Sequence, residues 1–450
     1  MNGIEIMTTA SLGDTSYLLV NGDEAALVDP QRDSWGLMES CTSRGVRIRY
    51  VLETHVHNDY VSGALEVRAA TDATVAGPAS APYAFDHLPL VEDDEIVVGD
   101  LTVRAMETPG HTAEHTSYLV FDDTRLAPTA VFTGGSLLVG GAGRTDLSGD
   151  DRTEVAGQSA VPFAAATFAA AGRHPGAADA RSRQLLRGRT LVSGQDHHHG
   201  RRAAYQPHAD HPGREEVRQP TVVGPGAVPR LLPLHGTDHR SGPEVLGGPP
   251  TLRALTPSVM EGLVGGGAQI VDGRDRRTFA AAHLPGSLCD EPTDRFAGLV
   301  GEVVPFGTRL VLVLPEPAAS AADEAVIQLL RIGYENVAGN LSGGVDAWQA
   351  AGRPLRSFRT ADVLEPAGHI AERLVLDVRP ERPEGGIPGT IAVPLAELPR
   401  RLGEMPRERE IWTVCGSGRR ATVAASLLDR VGIPVTAVVS GGVGDLTAHA

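Results

Sequence analysis

The chain contains no lysine, so each of its 40 fixed cations is an arginine. Acidic residues number 56, which leaves a formal charge of −16 at neutral pH. A surface of that sign repels phosphate backbones and anionic headgroups, and it argues against nucleic acid or a membrane as partner. Cysteine is scarce: Cys41, Cys289 and Cys415 are the whole complement. An odd, sparse set cannot staple a secreted fold, and it suits a reducing, cytoplasmic compartment in which a thiol stays free to react. No apolar run approaches the roughly 18 residues needed to cross a bilayer. The opening MNGIEIMTTASLGD lacks the basic and apolar regions of a secretory signal.

What remains is 450 residues, 41% hydrophobic and 21% charged, a globular balance with length for about two to four domains. Residues 1–153 alternate short apolar runs with turn signals. TSYLLVNGDEAALVDP reads as two strands joined around Asn21-Gly22, a hairpin dipeptide. IRYVLET reads as a buried strand ending on polar residues. LTVRAMETPGHT, HTSYLVFDD and TAVFTGGSLLVGG read as further strands and SWGLMESCTSRG as a helix, which makes the region α/β.

Residues 154–240 differ. They show no sustained helical or strand period, are rich in Arg, His, Pro, Gly and Gln, and hold eight of the 16 histidines. That composition does not promise a packed core. Two readings stay open: a divergent, partly disordered insert, or the rest of the N-terminal domain translated in a shifted frame.

Patterning returns in two similar halves, residues 250–356 and 357–450. The first holds AQIVDGRDRRTFAAAHLPGS, TRLVLVLPEP, ADEAVIQLLRIGY and NLSGGVDAW; the second holds RLVLDVRPERPEGGIPGT, REIWTVCGSGRRATVAASLLDR and VTAVVSGGV. Each runs strand, loop, strand, loop, helix, strand, with Gly-Gly at 343–344 and 441–442 in equivalent places. This is an internal duplication of about 95 residues.

Two histidine signals stand at strand ends. Thr54-His55-Val56-His57-Asn58-Asp59-Tyr60 follows the apolar YVLE, and Thr108-Pro109-Gly110-His111-Thr112 lies about fifty residues on. Imidazoles at i and i+2 with a nearby carboxylate can converge on one Zn or Fe ion. Together the two motifs resemble the metallo-β-lactamase superfamily, and within it the persulfide dioxygenase and glyoxalase II branch. GGAGRTDL at 140–147 is similar to a dioxygenase segment. The resemblance implies iron ligands at His55, His111 and position 135, but Gly135 stands where the family has aspartate, and Tyr60 where many members have histidine. A set of His55, His57, Asp59 and His111 is the alternative. For the family's later histidine, His235 in LPLHGTD is the candidate.

Cys415-Gly416-Ser417-Gly418-Arg419-Arg420 follows the apolar IWTV and opens the helix ATVAASLLDR. A tight Gly-rich loop turns backbone N–H groups inward, and a helix N-terminus adds positive potential, so the loop suits an anionic thiolate or persulfide. Arg420 adds a cation for an incoming sulfur oxyanion. The loop resembles the rhodanese active-site loop, supported by Asp377-Val378-Arg379 and Ile387-Pro388-Gly389, with Gly386 in place of the usual histidine. The resemblance implies that Cys415 carries a persulfide. The first half keeps Asp272, Arg274, His283, Pro285 and Gly286, but Leu314-Pro315-Glu316-Pro317 occupies the cysteine-loop position. That half is expected to be structural, with Cys289 and Cys41 as packing residues.

The expected architecture is an N-terminal αββα metallo-β-lactamase sandwich followed by two rhodanese-like α/β domains with parallel sheets. The resemblances imply a sulfur-metabolism enzyme that oxidises a glutathione persulfide at one divalent metal, Fe(II) favoured and Zn also suitable, and relays sulfane sulfur through Cys415. Its partners would be a small-molecule persulfide or thiosulfate and a thiol acceptor, with a homo-oligomer also compatible. The alternatives are a sulfurtransferase with a degenerate metal domain, a thioester hydrolase, and a non-enzymatic persulfide sensor.

Overall fold

A computed structural model describes residues 3–9, 12, 14–138, 141–142, 232–293, 296–315, 319–367, 372–380 and 389–448. It divides into two compact units, Met1–Gly226 with Gly236–Gly248, and Ala227–His235 with Pro249–Ala450. Most of the unpatterned 154–240 stretch, and the fourth layer expected from it, lie outside the described residues. So do Gly386, Ile387 and Pro388, and most of GGAGRTDL.

In the first unit, six strands form one sheet in chain order: Gly3–Thr9, Asp14–Asn21, Glu24–Val28, Arg47–Leu52, Thr74–Pro78 and Leu88–Leu90. The hairpin expected at Asn21-Gly22 is present, with Asn21 opposite Glu24 and Gly22 at φ +65°. From Glu24–Val28 onward the strands run parallel. A second, antiparallel sheet holds Glu95–Val98, Leu101–Glu107, Thr116–Phe121 and Ala130–Phe132.

Side chains alternate across a strand, and here both faces are covered, which is why YLLV reads as a continuous apolar run. Tyr17, Leu19, Ala26 and Val28 face the second sheet and meet Val103, Ala105, Tyr118, Val120 and Phe132. Leu18, Val20, Ala25 and Leu27 face the other way, onto Met38 and Cys41 of the helix Trp35–Ser43 and Leu65 and Val67 of the helix Ala64–Thr71. Each large side chain buried this way contributes about 1.5–3 kcal/mol. Three layers result, and the functional strand ends emerge from their edge.

In the second unit, two five-stranded parallel sheets repeat one order. The first runs Ala254–Leu255, Val337–Leu341, Leu310–Val313, Gln269–Asp272, Leu288–Cys289. The second runs Arg359–Asp362, Val435–Ser440, Ile411–Val414, Leu374–Asp377, Ile391–Ala392. The duplication extends to side chains. Arg274 grips Asp272 through Nε and Nη2 (2.9 and 2.7 Å), and Arg379 grips Asp377 the same way (3.0 and 2.7 Å). Both aspartates end a central strand, so the fork ties each strand to the loop that follows it.

The two repeats also bind each other. His283 of the first places Nε2 3.2 Å from Asp429 Oδ2 in the helix Arg419–Arg430 of the second, and its Nδ1 lies 3.0 Å from the Phe279 carbonyl. Arg356 closes on the same carboxylate at 2.9 Å. The Cys289 N–H donates to Ser426 Oγ of that helix at 3.2 Å. No helix among the described residues is long and apolar enough to cross a membrane.

Candidate functional site

The parallel strands Glu24–Val28 and Arg47–Leu52 end side by side, and their next residues build a buried polar cluster. Asp29 takes φ +48°, a conformation costly for a residue with a Cβ and typical of functional strand ends. It is held there because Oδ1 accepts the Thr54 N–H and Oδ2 the Thr54 hydroxyl, both at 2.8 Å. With its proton committed to Asp29, Thr54 Oγ1 can only accept from His55 Nδ1, 2.8 Å away. That chain fixes the His55 tautomer and leaves Nε2 as a free donor atom.

Around His55 stand three more imidazoles, with ring centroids 4.2 Å away for His57, 4.9 Å for His111 and 4.9 Å for His115. Burial, and then the neighbouring histidines, hold His55 well below the ordinary imidazole range, and His115 likewise. Neutral imidazole is the form that ligates metal. His57 behaves oppositely. Burial opposes its charge, but Asp29 and Glu53, each 3.2 Å from Nε2, lift it well above the ordinary range. Tyr60, in the place of the second-site histidine, puts its hydroxyl 3.1 Å from the same nitrogen and donates to the Asp29 carbonyl at 3.0 Å.

The four residues expected as ligands are therefore neighbours, with Asp59 Oδ1 3.8 Å from His57 Nδ1 on the more exposed side. Among the described residues, however, the donor atoms that close within 4.8 Å of one another belong to Glu53, His57 and His239. His239 comes from the helix Leu232–Ser241, inside the stretch with no legible period, and lies four residues beyond the expected His235. Its ring stacks on His57 at 5.2 Å, and its Nδ1 accepts the His57 N–H at 2.8 Å. Glu53 Oε2 and His239 Nε2 face each other at 3.5 Å, and both are buried without a hydrogen bond, as is His115 Nε2. Because His239 Nδ1 accepts a hydrogen bond, its neutral ring carries the proton on Nε2, toward Glu53, and would release it to ligate a metal. His115 Nε2 is a buried acceptor without a partner, and imidazoles and a carboxylate converging in one buried cluster are donors that suit a divalent cation. The donor set fits such an ion.

Glu53 and His115 adjoin the two motifs and were within reach of the sequence. Asp29 and His239 carry no signal outside the tertiary fold. Gly135 backs directly onto His111: a Cβ there would lie 2.5 Å from His111 Nε2. The site thus has room for the His111 ring in the direction from which the family's aspartate would come.

In the second unit, Cys415 ends the strand Ile411–Val414, where ligands of parallel sheets bind. It is 4% exposed, while Gly416 and Ser417 are exposed. Gly418 caps the helix Arg419–Arg430 at φ +83°, and any Cβ there would collide with the Val439 backbone. The loop carbonyls are bonded outward, Cys415 O to Val443 N (3.0 Å) and Ser417 O to Arg276 Nη1 (2.8 Å). Arg419 of the loop and Arg420, the residue expected to hold an incoming oxyanion, meet acidic side chains of the first repeat, Asp290 at 2.8 Å and Glu302 at 3.5 Å. Their Nε atoms are buried without partners. In the first repeat the equivalent strand Leu310–Val313 leads to Leu314-Pro315, with no thiol. Cys289 and Cys41 are buried, and burial, with Asp272, Asp290 and Glu291 added, pushes the Cys289 thiol well up.

Comparison with known proteins agrees with this division. The metallo-beta-lactamase superfamily model matches residues 12–206, and the rhodanese-like domain model matches 256–351 and 361–449. A hydroxyacylglutathione hydrolase of Cereibacter sphaeroides is 36% identical over 146 residues, 31% of this chain and 55% of the relative. One of Rhodopseudomonas palustris is 40% identical over 110 residues, 24% of this chain and 41% of the relative. The chain thus spans about half the length of the curated relatives it matches. A metallo-beta-lactamase from Staphylococcus aureus shares the fold over 76% of this chain and 98% of its own, at TM-score 0.54 and 18% identity. ETHE1 from Myxococcus xanthus aligns at 29% identity over 32% of this chain and 63% of its own, with TM-score 0.30. The chain is a fusion of a metallo-beta-lactamase superfamily domain with two rhodanese-like domains.

Proposed function

We propose that the protein is an enzyme of reduced-sulfur metabolism in which Cys415 carries sulfane sulfur and the N-terminal domain oxidises a glutathione-type persulfide. The observation that carries this reading is the Cys415 loop, a thiol at a parallel strand end with its carbonyls bonded outward and a helix beginning behind it. In the transfer step the Cys415 thiolate attacks the outer sulfur of a thiosulfate or persulfide. The donor S–S bond breaks, sulfite or a thiolate leaves, and a cysteine persulfide remains. An acceptor thiolate then takes the outer sulfur and restores Cys415. The peptide N–H groups of the loop stabilise the anion at each stage.

In the N-terminal domain, His55, His57, Asp59 and His111 would hold one divalent metal, Fe(II) favoured and Zn also suitable, with Glu53 and His239 completing the set. When bound, such an ion supplies a Lewis acid that polarises a ligated sulfur or carbonyl. The protein's own part is to hold His55 neutral by burial, to fix its tautomer through Thr54 and Asp29, and to bury Glu53 and His239 side by side. A second reading, hydrolysis of a glutathione thioester, is favoured by the hydroxyacylglutathione hydrolases among the relatives.

The test is elemental analysis of tag-free protein, followed by dioxygen uptake on adding glutathione persulfide and by the mass of the Cys415 peptide. Bound iron, dioxygen consumption and one added sulfur atom on Cys415 are expected. Zinc with thioester hydrolysis and no dioxygen uptake would replace oxidation by hydrolysis. A Cys415 that never gains sulfur from thiosulfate or persulfide would end the transfer reading.

A further inference from the structure

The first repeat, with no cysteine at the loop position, does more than pack against the other repeat. Arg276 begins its helix Arg276–Ala281, capped by Asp275, whose side chain accepts the Arg277 and Thr278 N–H groups. The Arg276 guanidinium is aimed by Glu291, which accepts from Nε at 2.9 Å and from Nη2 at 2.5 Å. That fork leaves Nη1 free, and Nη1 donates to the carbonyls of Ser417 (2.8 Å) and Val439 (3.3 Å) in the second repeat. Its bond to Glu291 holds the Arg276 guanidinium above its ordinary range, with smaller contributions from Cys289 and Cys415.

A trans peptide points its N–H opposite its carbonyl. Pinning the Ser417 carbonyl to Arg276 therefore turns the Gly418 N–H the other way, into the loop. Val443 N does the same for the Cys415–Gly416 peptide from within the second repeat. The loop itself is soft, because Gly416 and Gly418 flank Ser417 and two of these three residues are exposed. We propose that Arg276 of the first repeat is a positioning residue of the Cys415 site, holding the Ser417–Gly418 peptide with its N–H inward. The first repeat is thus a required part of the sulfur-carrying centre, although it has no cysteine at the equivalent loop position.

This inference rests on Cys415 as the sulfur carrier, and the experiment separates the two. In the full chain, sulfur loading of Cys415 from thiosulfate and alkylation by iodoacetamide are timed by mass spectrometry of the Cys415 peptide. Four proteins are compared: wild type, Arg276→Gln, Arg276→Lys and Arg277→Gln. Arg276→Gln is expected to slow both reactions about tenfold, the effect of losing one charge-assisted bond. Arg276→Lys keeps the cation and a donor but cannot serve Glu291 and Ser417 together, so it should fall between Gln and wild type. Arg277→Gln, whose side chain is exposed, should match wild type.

Arg276→Gln with the wild-type melting temperature and wild-type rates would overturn the inference. So would Arg276→Lys no faster than Arg276→Gln, since the residue would then be filling space only. If Arg276→Gln does not fold, Glu291→Gln takes its place. It removes the aim and keeps the cation, and a smaller slowing is expected, with unchanged rates overturning the proposal. Failure of wild-type Cys415 to gain sulfur, with alkylation still dependent on Arg276, would remove the transfer reading and leave the positioning role in place.

Discussion

Gly135 lies against the imidazole of His111 so closely that a Cβ on residue 135 would sit 2.5 Å from Nε2. Space, rather than backbone conformation, is what a substitution meets here. Gly135→Ala is expected to cost about 1 kcal/mol, since a side chain and not backbone must give way. Gly135→Asp carries the same steric cost but delivers a carboxylate beside His111. It is expected to raise the metal retained per chain after dialysis against a chelator. Equal retention in Gly135→Asp and wild type would mean that position 135 does not reach the ion.

His239 links the helix Leu232–Ser241 to the motif strand. Its Nε2 faces Glu53 Oε2 at 3.5 Å, so a metal that displaces the proton between them should bind both. His239→Ala is expected to lower metal affinity more than Asp29→Asn, which disturbs only the groups that orient His55 and His57. The latter should cost about 10–100-fold. Competition with a chromogenic chelator measures both, and an unchanged affinity in His239→Ala would confine the site to the two motifs.

Asp290 sets a pH dependence. Burial pushes its carboxyl up to about 8, against the Arg419 guanidinium that draws it down. The folded protein therefore holds a proton that the unfolded chain releases near pH 4. Stability from this group is full below about pH 4 and is lost as pH rises toward about 8. Asp290→Asn does not titrate. Its stability relative to wild type should rise across that window and level off above it, as urea melts at a series of pH values would show. A constant difference would place the carboxylate in its ordinary range.

His283 and Asp429 tie the two repeats, with Arg356 on the same carboxylate. Asp429→Ala leaves a buried imidazole and a guanidinium facing each other without their acceptor. About 3–5 kcal/mol should be lost, the cost of breaking a buried pair from one side. His283→Ala leaves Asp429 its bond to Arg356 and should cost less. Differential scanning calorimetry of the two variants checks the order, and a reversed order would assign the clamp to His283 and Phe279 instead.

The architecture was legible because its carriers are local. The Asn21-Gly22 hairpin, the strand before Thr54 and the D-x-R forks at Asp272 and Asp377 each depend on residues within a few positions. So does the Cys415 loop, in which strand, glycines and helix follow one another directly. The helix Leu232–Ser241 was not legible. LPLHGTDHRS has no amphipathic face, and the helix is held by tertiary contacts such as the Ala84 N–H bond to the Arg240 carbonyl and the buried His239.

By itself, then, the sequence determined the two kinds of chemistry and the order of the domains. It placed imidazoles at one strand end and a thiol at another, and period, turns and spacing are properties of neighbouring residues. Only the tertiary structure decided which partners complete each centre. Asp29 and Glu53 surround His57 because parallel strands end together, His239 arrives from nearly two hundred residues away, and Arg276 reaches the Ser417 carbonyl from the repeat without a cysteine loop. Those pairings depend on packing distance, and separation along the chain does not encode it.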